Sequence, residues 1–398
     1  MRFLSLAFLT LAVMLSFACN GKGNSYEYEQ LKVADTITHY DTLSTPSASP
    51  HDTFVIAMTG DIMMGTLYPA PALPPHDGKN LFKDTKDILL RADIAAGNLE
   101  GTLCDSAQTT KKKSKYNYSF LTPVRFAPRL KEAGFDFLTM ANNHSMDFGM
   151  TGLLSTENAL DQLDIKYAGI KGRNKAAVIE KDGIRYGLCA FGYNGYTLRH
   201  QDRLQAKAII DSIRQCSDIL VVTFHGGAEG KTYSHLPQGK EMFLEEDRGE
   251  LRSFAHFCID NGADVVFGHG PHVVRCVELY KDRFIAYSLG NFCTPYGISI
   301  TGISGYAPII EVGVDSNGVF QRGKIHPFIQ QRGIGPRRDT TGVVVRQIRN
   351  LTRQDITDNR LHIADDGTIT RKGHIYKYKR ETRYTQVSLL YFCLKVED

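Results

Sequence analysis

Between residues 53 and 272 the chain repeats one pattern. A short apolar run of strand length breaks off in glycine and polar side chains. The runs cover 53–58, 93–97, 135–140, 218–224 and 263–267. Their ends read Gly60-Asp61-Ile62-Met63-Met64-Gly65, Asn98-Leu99-Glu100-Gly101, Ala141-Asn142-Asn143-His144-Ser145-Met146-Asp147, His225-Gly226-Gly227-Ala228-Glu229 and Gly268-His269-Gly270-Pro271-His272. The run 218–224 is apolar almost throughout, as in a parallel strand covered on both faces. Amphipathic patterns at 124–133, 151–163, 203–216 and 245–261 fit helices, with Gly134 and Gly262 as C-terminal caps. Hairpins are expected at 176–191 around Lys181-Asp182-Gly183, at 273–288, and at 308–328 around Ser316-Asn317-Gly318. Beyond Arg332 the chain turns basic and less regular. Strands alternating with helices give an α/β class, and ligands of such sheets bind outside the carboxyl ends of the strands.

A formal net charge of +4 over 398 residues argues against a dedicated nucleic-acid binder, so no nucleic-acid partner is expected. The first residues look like a targeting segment. Met1-Arg2 is positive, 3–17 is almost wholly apolar yet short for a membrane span, and Ser16-Phe17-Ala18-Cys19 resembles a lipobox with Cys19 as the lipidated residue. An ordinary secretory signal is the plainer alternative. Residues 1–18 are then a signal peptide, 19–50 the lipidated cysteine and a polar tether, 51–338 the folded domain and 339–398 a C-terminal extension. The expected location is the bacterial cell envelope, with a lipid anchor in the membrane. Seven cysteines remain after Cys19, with no CxxC spacing, and most read as buried apolar residues.

Asp61, Glu100, Asn143, His225, His269 and His272 mix oxygen donors with imidazoles. Such a set suits Mn, Zn or Fe better than the all-oxygen shells of Mg or Ca. Two ions sharing one carboxylate would hold both ends of a displacement reaction. Each residue alone has a blander reading, as a turn aspartate or a satisfied strand-end histidine. Their succession on one α/β pattern favours a metal site. No P-loop, dinucleotide fingerprint or nucleophile elbow competes with it.

From 53 to about 338, these motifs, with Tyr287-Ser288-Leu289-Gly290-Asn291-Phe292, resemble the poly-γ-glutamate capsule synthesis protein CapA family, within the calcineurin-like metallophosphoesterase superfamily. The resemblance implies a four-layer α/β/β/α sandwich with two divalent ions at the strand tips. It implies Asp61 on one ion, Glu100 bridging, Asn143 and His225 on the second, and His269 and His272 completing the set. His144 would face substrate as a general acid or anion stabiliser, and Asp147 would fix its tautomer. Two positions depart from the superfamily pattern. Met63 stands where Asp-x-His would place a histidine, and Glu100 replaces the usual aspartate. Gly226 stands where CapA-like chains commonly carry Trp, which is expected to open the site.

The basic run Lys111, Lys112, Lys113 and Lys115 reads either as a solvated loop or as a substrate-binding strip for a polyanion, with Arg337-Arg338 a weaker candidate. The expected partners are an anionic capsule polymer such as poly-γ-glutamate and membrane capsule synthase or export proteins. Two functions follow: a metal-dependent hydrolase acting on an anionic polymer or phosphoester in capsule synthesis, or a non-catalytic accessory protein that binds the polymer.

Overall fold

The computed structural model describes residues 53–112 and 117–373. The signal peptide, Cys19 and the whole of the tether lie outside the described residues, as do Lys113 and Lys115. No helix among the described residues is long and apolar enough to cross a membrane.

Two mixed sheets pack face to face. In the nine-stranded sheet, Phe54–Ile62, Ile94–Leu99, Phe137–Thr139 and Lys166–Ala168 run parallel. On the other side of Phe54–Ile62 come the antiparallel strands Ile309–Val314, Phe320–His326, Thr368–Arg371 and Leu361–Ile363, and Asn291–Cys293 also pairs with it. The six-stranded sheet has the parallel strands Ile184–Phe191, Ile219–His225, Val265–His269 and Arg283–Ala286, with antiparallel edges Ala176–Lys181 and Val277–Tyr280.

The period-2 alternation of strand side chains sorts the core into three layers. Phe54, Ile56 and Met58 point between the sheets, where they meet Leu188, Val221 and Phe267. Ala57, Ala95 and Leu138 point outward onto helices α1 (Lys86–Arg91), α2 (Pro128–Ala133) and α3 (Gly149–Gln162). On the far side, Phe191, Val222 and Val266 cover α4 (Arg203–Gln215) and α5 (Leu251–Asp260). The result is helix, sheet, sheet, helix: the four-layer α/β/β/α sandwich. The hairpin expected around Lys181-Asp182-Gly183 is present, with Asp182 and Gly183 at φ of 53° and 78°. Gly134 caps α2 in the left-handed region.

Two expectations need correction. The helix expected over 245–261 begins only at Leu251. Before it, Glu241–Phe243 and Glu246–Gly249 form a hairpin that turns at Leu244 and Glu245, both at positive φ. Tertiary contacts override the helical pattern here, because the Arg248 guanidinium is buried against Glu229 and Glu246. The second correction concerns 339–398, expected as an extension. Within it, α6 (Val343–Asp355) sends Val344, Val345 and Ile348 into the core between the sheets. Leu361–Ile363 and Thr368–Arg371 then lengthen the nine-stranded sheet. The described cysteines are all free, and only Cys216 is exposed.

Candidate metal centre

The parallel strands of both sheets end at the same edge of the sandwich, and a bulge aims the first carboxylate. Met58 faces the inter-sheet core, so strict alternation would turn Asp61 toward the helices. The register with the neighbouring strand slips between Met58↔Ala96 and Asp61↔Asn98. That extra residue flips Asp61 inward. Gly60 makes the bulge possible: a Cβ there would lie 2.0 Å from the Gly290 carbonyl oxygen. Asp61 is held from both sides. Its amide donates to Gly290 O at 2.9 Å, and Asn98 Nδ2 donates to its Oδ1 at 2.9 Å.

Glu100 follows the neighbouring strand and is fully buried, with neither carboxylate oxygen hydrogen-bonded. Burial, and then the charge of Asp61, pushes its carboxyl well above the usual range. Burial acts on Asp61 in the same sense, but the imidazoles of His269 and His272 outweigh it and keep Asp61 ionised.

The second sheet supplies the imidazoles. His225 and His269 are register partners at the ends of adjacent parallel strands. His225 Nε2 lies 3.8 Å from Glu100 Oε1, and His269 Nδ1 lies 3.2 Å from Asp61 Oδ1 without hydrogen-bond alignment. His272 arrives from the loop beyond, at φ 56°. A non-glycine residue there carries backbone strain, which is typical of functional sites. Its Nδ1 is 3.0 Å from both Asp61 Oδ2 and Asn291 Oδ1, and its Nε2 is 3.7 Å from Glu100 Oε1. Burial resists a charge on this ring, but Glu100 and Asp61 prevail and push it up to about 10.

These residues fit a divalent cation on physical grounds. Glu100 Oε1 and Oε2, Asn143 Oδ1, His225 Nε2 and both nitrogens of His269 are buried with no hydrogen-bond partner among the described residues. Each such atom costs roughly 1–3 kcal/mol unless something satisfies it. Asp61, Glu100 and His225 each present a ligand atom within 4.8 Å of the others. A cation among Asp61, Glu100 and His225 would answer the orphaned atoms of Glu100 and His225 together. Met63 is buried and apolar, so the position of the missing histidine offers no strong ligand.

The loop after Phe137–Thr139 divides its labour. Asn142 is structural: its Nδ2 donates to Asn98 Oδ1 and Leu99 O, and its Oδ1 accepts from the His144 amide. Asn143 turns its side chain the other way and lines the cleft with His144. His144 Nδ1 pairs with Asp147 Oδ2 at 2.9 Å, and its ring packs on Phe120 with centroids 4.5 Å apart. Burial holds this imidazole below its usual range, against the pull of Asp147. Asp147 also receives Lys111, whose ammonium lies 2.5 Å from Oδ1. Lys111 therefore braces the site, although it also lines the cleft, whereas Lys112 is exposed. Arg337 donates to backbone carbonyls of Asn80, Leu81 and Pro336 and does not line the cleft.

Around these groups opens a cleft of about 1010 Å³. Its far wall holds Tyr193, Tyr196, Glu229 and Arg248. Arg248 lies over the Tyr193 ring at 4.3 Å, and Tyr193 stacks beside His225. Sequence reasoning missed this wall, because Arg248 lies in the stretch expected to be helical. Asn98 and Asn291, which hold Asp61 and His272, were also missed, though both stand inside motifs singled out above. The expectation that Gly226 opens the site is corrected. A Cβ there would meet Arg248 O at 2.6 Å and His200 Nε2 at 2.8 Å, so the space is filled.

Comparison with known proteins agrees with the motifs. Residues 55–296 match the family described as bacterial capsule synthesis protein PGA_cap. The chain is 27% identical over 265 residues to the capsule biosynthesis protein CapA of Bacillus anthracis, covering 62% of this chain and 61% of that one. It is 28% identical over 261 residues to the PGA biosynthesis protein CapA of Bacillus subtilis, covering 62% and 64%. The chain thus spans less than two thirds of the length of either relative. A phosphatase structure from Mycoplasma pneumoniae aligns with 70% of this chain and 94% of its own at 14% identity, with a TM-score of 0.46, too low to carry an argument. The matched residues cover the greater part of the chain and contain every donor of the cluster, and the chain belongs to the bacterial capsule synthesis protein PGA_cap family.

Proposed function

We propose that the chain is a metal-dependent hydrolase of the cell envelope, acting on an anionic capsule polymer or a phosphoester during capsule synthesis. The observation that carries this reading is the set of buried, unpartnered donor atoms on Glu100, Asn143, His225 and His269 beside Asp61. In this reading Asp61 and His272 would hold one ion, Asn143 and His225 would hold the other, Glu100 would serve both, and His269 would complete the set. Two divalent ions there would supply Lewis acidity and offset the substrate's negative charge. His144 Nδ1 lies 2.9 Å from Asp147 Oδ2, which orients the ring so that Nε2 is the nitrogen that would carry a proton to the leaving group when the imidazole is protonated. Lys111 and the Phe120 amide hold Asp147 in place for that task. The names of the Bacillus relatives direct the reading to capsule polymer, with poly-γ-glutamate as the first candidate and capsule synthase or export proteins as partners. Lipidation at Cys19 would tether the chain to the membrane.

The test is elemental analysis of the purified protein, with hydrolysis of phosphodiester and γ-glutamyl model substrates. Wild type is expected to carry divalent metal. Asn143→Ala and His225→Ala are expected to lose metal and to hydrolyse at least ~100-fold more slowly, as when electrostatic stabilisation is removed. A metal-free wild type with both variants equal to it would sink the proposal. Met63, buried where a ligand is missing, favours a second reading as a non-catalytic polymer-binding protein. Salt-sensitive polyglutamate binding that survives both substitutions, with no hydrolysis, would select that one.

A further inference from the structure

The cleft over the metal centre continues past its own rim. Lys111, Asn117, Tyr118, Phe120 and Gly297 line it, and the same residues line a second groove of about 640 Å³. This groove runs to a closed turn in which Thr66 and Ala72 exchange backbone hydrogen bonds of 3.0 and 2.8 Å, presenting Tyr68 and Ala70. No carboxylate among the described residues lines it. Lys112 is exposed on its wall, with no ion-pair partner among the described residues. Tyr118 stands at the shared rim with 58% of its surface exposed.

A small ester needs none of this extra space. Pockets for small ligands measure about 300–1,000 Å³, and the first cleft alone reaches the top of that range. We propose that the second groove is a subsite for the neighbouring units of an extended anionic polymer, whose chain passes over Tyr118 from the metal centre toward Tyr68 and Lys112. The site then reads chain length as well as the bond at its centre. This rests on the polymer reading above and names where the rest of that polymer lies. Lys112 supplies the charge complement, and the rings of Tyr68 and Tyr118 offer flat faces to amide or sugar units.

The experiment measures equilibrium binding of a γ-glutamyl dimer and decamer to the purified protein by calorimetry. It compares wild type with Lys112→Glu and with Ala70→Trp, both at exposed positions. The decamer has more binding registers than the dimer in every variant, so the change in the decamer-to-dimer affinity ratio isolates the groove. That ratio is expected to fall about tenfold in each variant, equivalent to ~1.4 kcal/mol. Ala70→Trp fills the groove and decides the matter: an unchanged ratio overturns the proposal. Dimer binding with no preference for the decamer in wild type overturns it too and leaves the polymer reading standing. Failure of both oligomers to bind removes both.

Discussion

Lys111 opens a run of basic residues, and in sequence it is indistinguishable from Lys112. In the fold its ammonium lies 2.5 Å from a fully buried carboxylate, Asp147, and also reaches the carbonyls of Asn143 and Tyr118 at 3.1 and 3.0 Å. Asp147 in turn gathers the His144 ring, the Phe120 amide and the Thr110 amide around itself. Lys111→Met strips the counter-charge from that buried group. Breaking a buried pair costs about 3–5 kcal/mol, and the partial exposure of Lys111 reduces this to roughly 2 kcal/mol by solvent screening. Urea denaturation is expected to show that loss in Lys111→Met and less than ~0.5 kcal/mol in Lys112→Gln, an exposed substitution. Equal stabilities would return Lys111 to the solvated strip. The convergence of Asp61, Glu100 and His225 was legible because carboxylates and imidazoles at strand tips have little to do in a core. Asn98 and Asn291 were not, since an amide that orients a ligand looks in sequence like any strand-end amide.

At the scale of elements, strands were legible wherever apolar runs met glycine. Boundaries failed where a distant partner decides the conformation, as in the hairpin before α5. The segment after His225 is held the same way. Arg275 is fully buried and grips Glu241 with its two terminal guanidinium nitrogens, at 2.8 and 2.7 Å. Glu241 also accepts the Ala228 amide at 2.9 Å. This clamp fixes the chain between His225 and the hairpin that carries Arg248. Arg275→Met leaves Glu241 buried and unpaired, at a cost of about 3–5 kcal/mol. Adding Glu241→Leu is expected to recover most of that loss, because the remaining charge goes with it. A double-mutant cycle by urea denaturation checks this, and additive losses would show that the clamp is not a coupled unit.

For the whole molecule, the decisive question is where the fold ends. The sequence becomes basic and irregular after Arg332, and the recognised motifs stop well before α6, so nothing local marks 339–373 as core. Its contribution is non-local: a basic helix with one apolar face reads as surface until the gap that it fills is known. Val344, Val345, Ile348, Leu361, Ile363 and Ile369 are all buried against Phe54–Ile62, Ile309–Val314 and Phe320–His326 in the core between the sheets. Burying one such side chain stabilises by roughly 1.5–3 kcal/mol, and a whole domain is stable by only about 5–15 kcal/mol. Truncation after Arg338 therefore removes as much stabilisation as the domain has to spare. It also uncovers the edge of Phe320–His326, an unpaired strand prone to aggregation. A chain ending at Arg338 is expected to be insoluble or to lack a cooperative thermal transition, whereas one ending at Gly373 melts cooperatively. A folded, soluble product from the shorter chain would make 339–373 an appendage after all. It would also free the candidate metal centre, some distance along the strands, from any dependence on that end of the sheet.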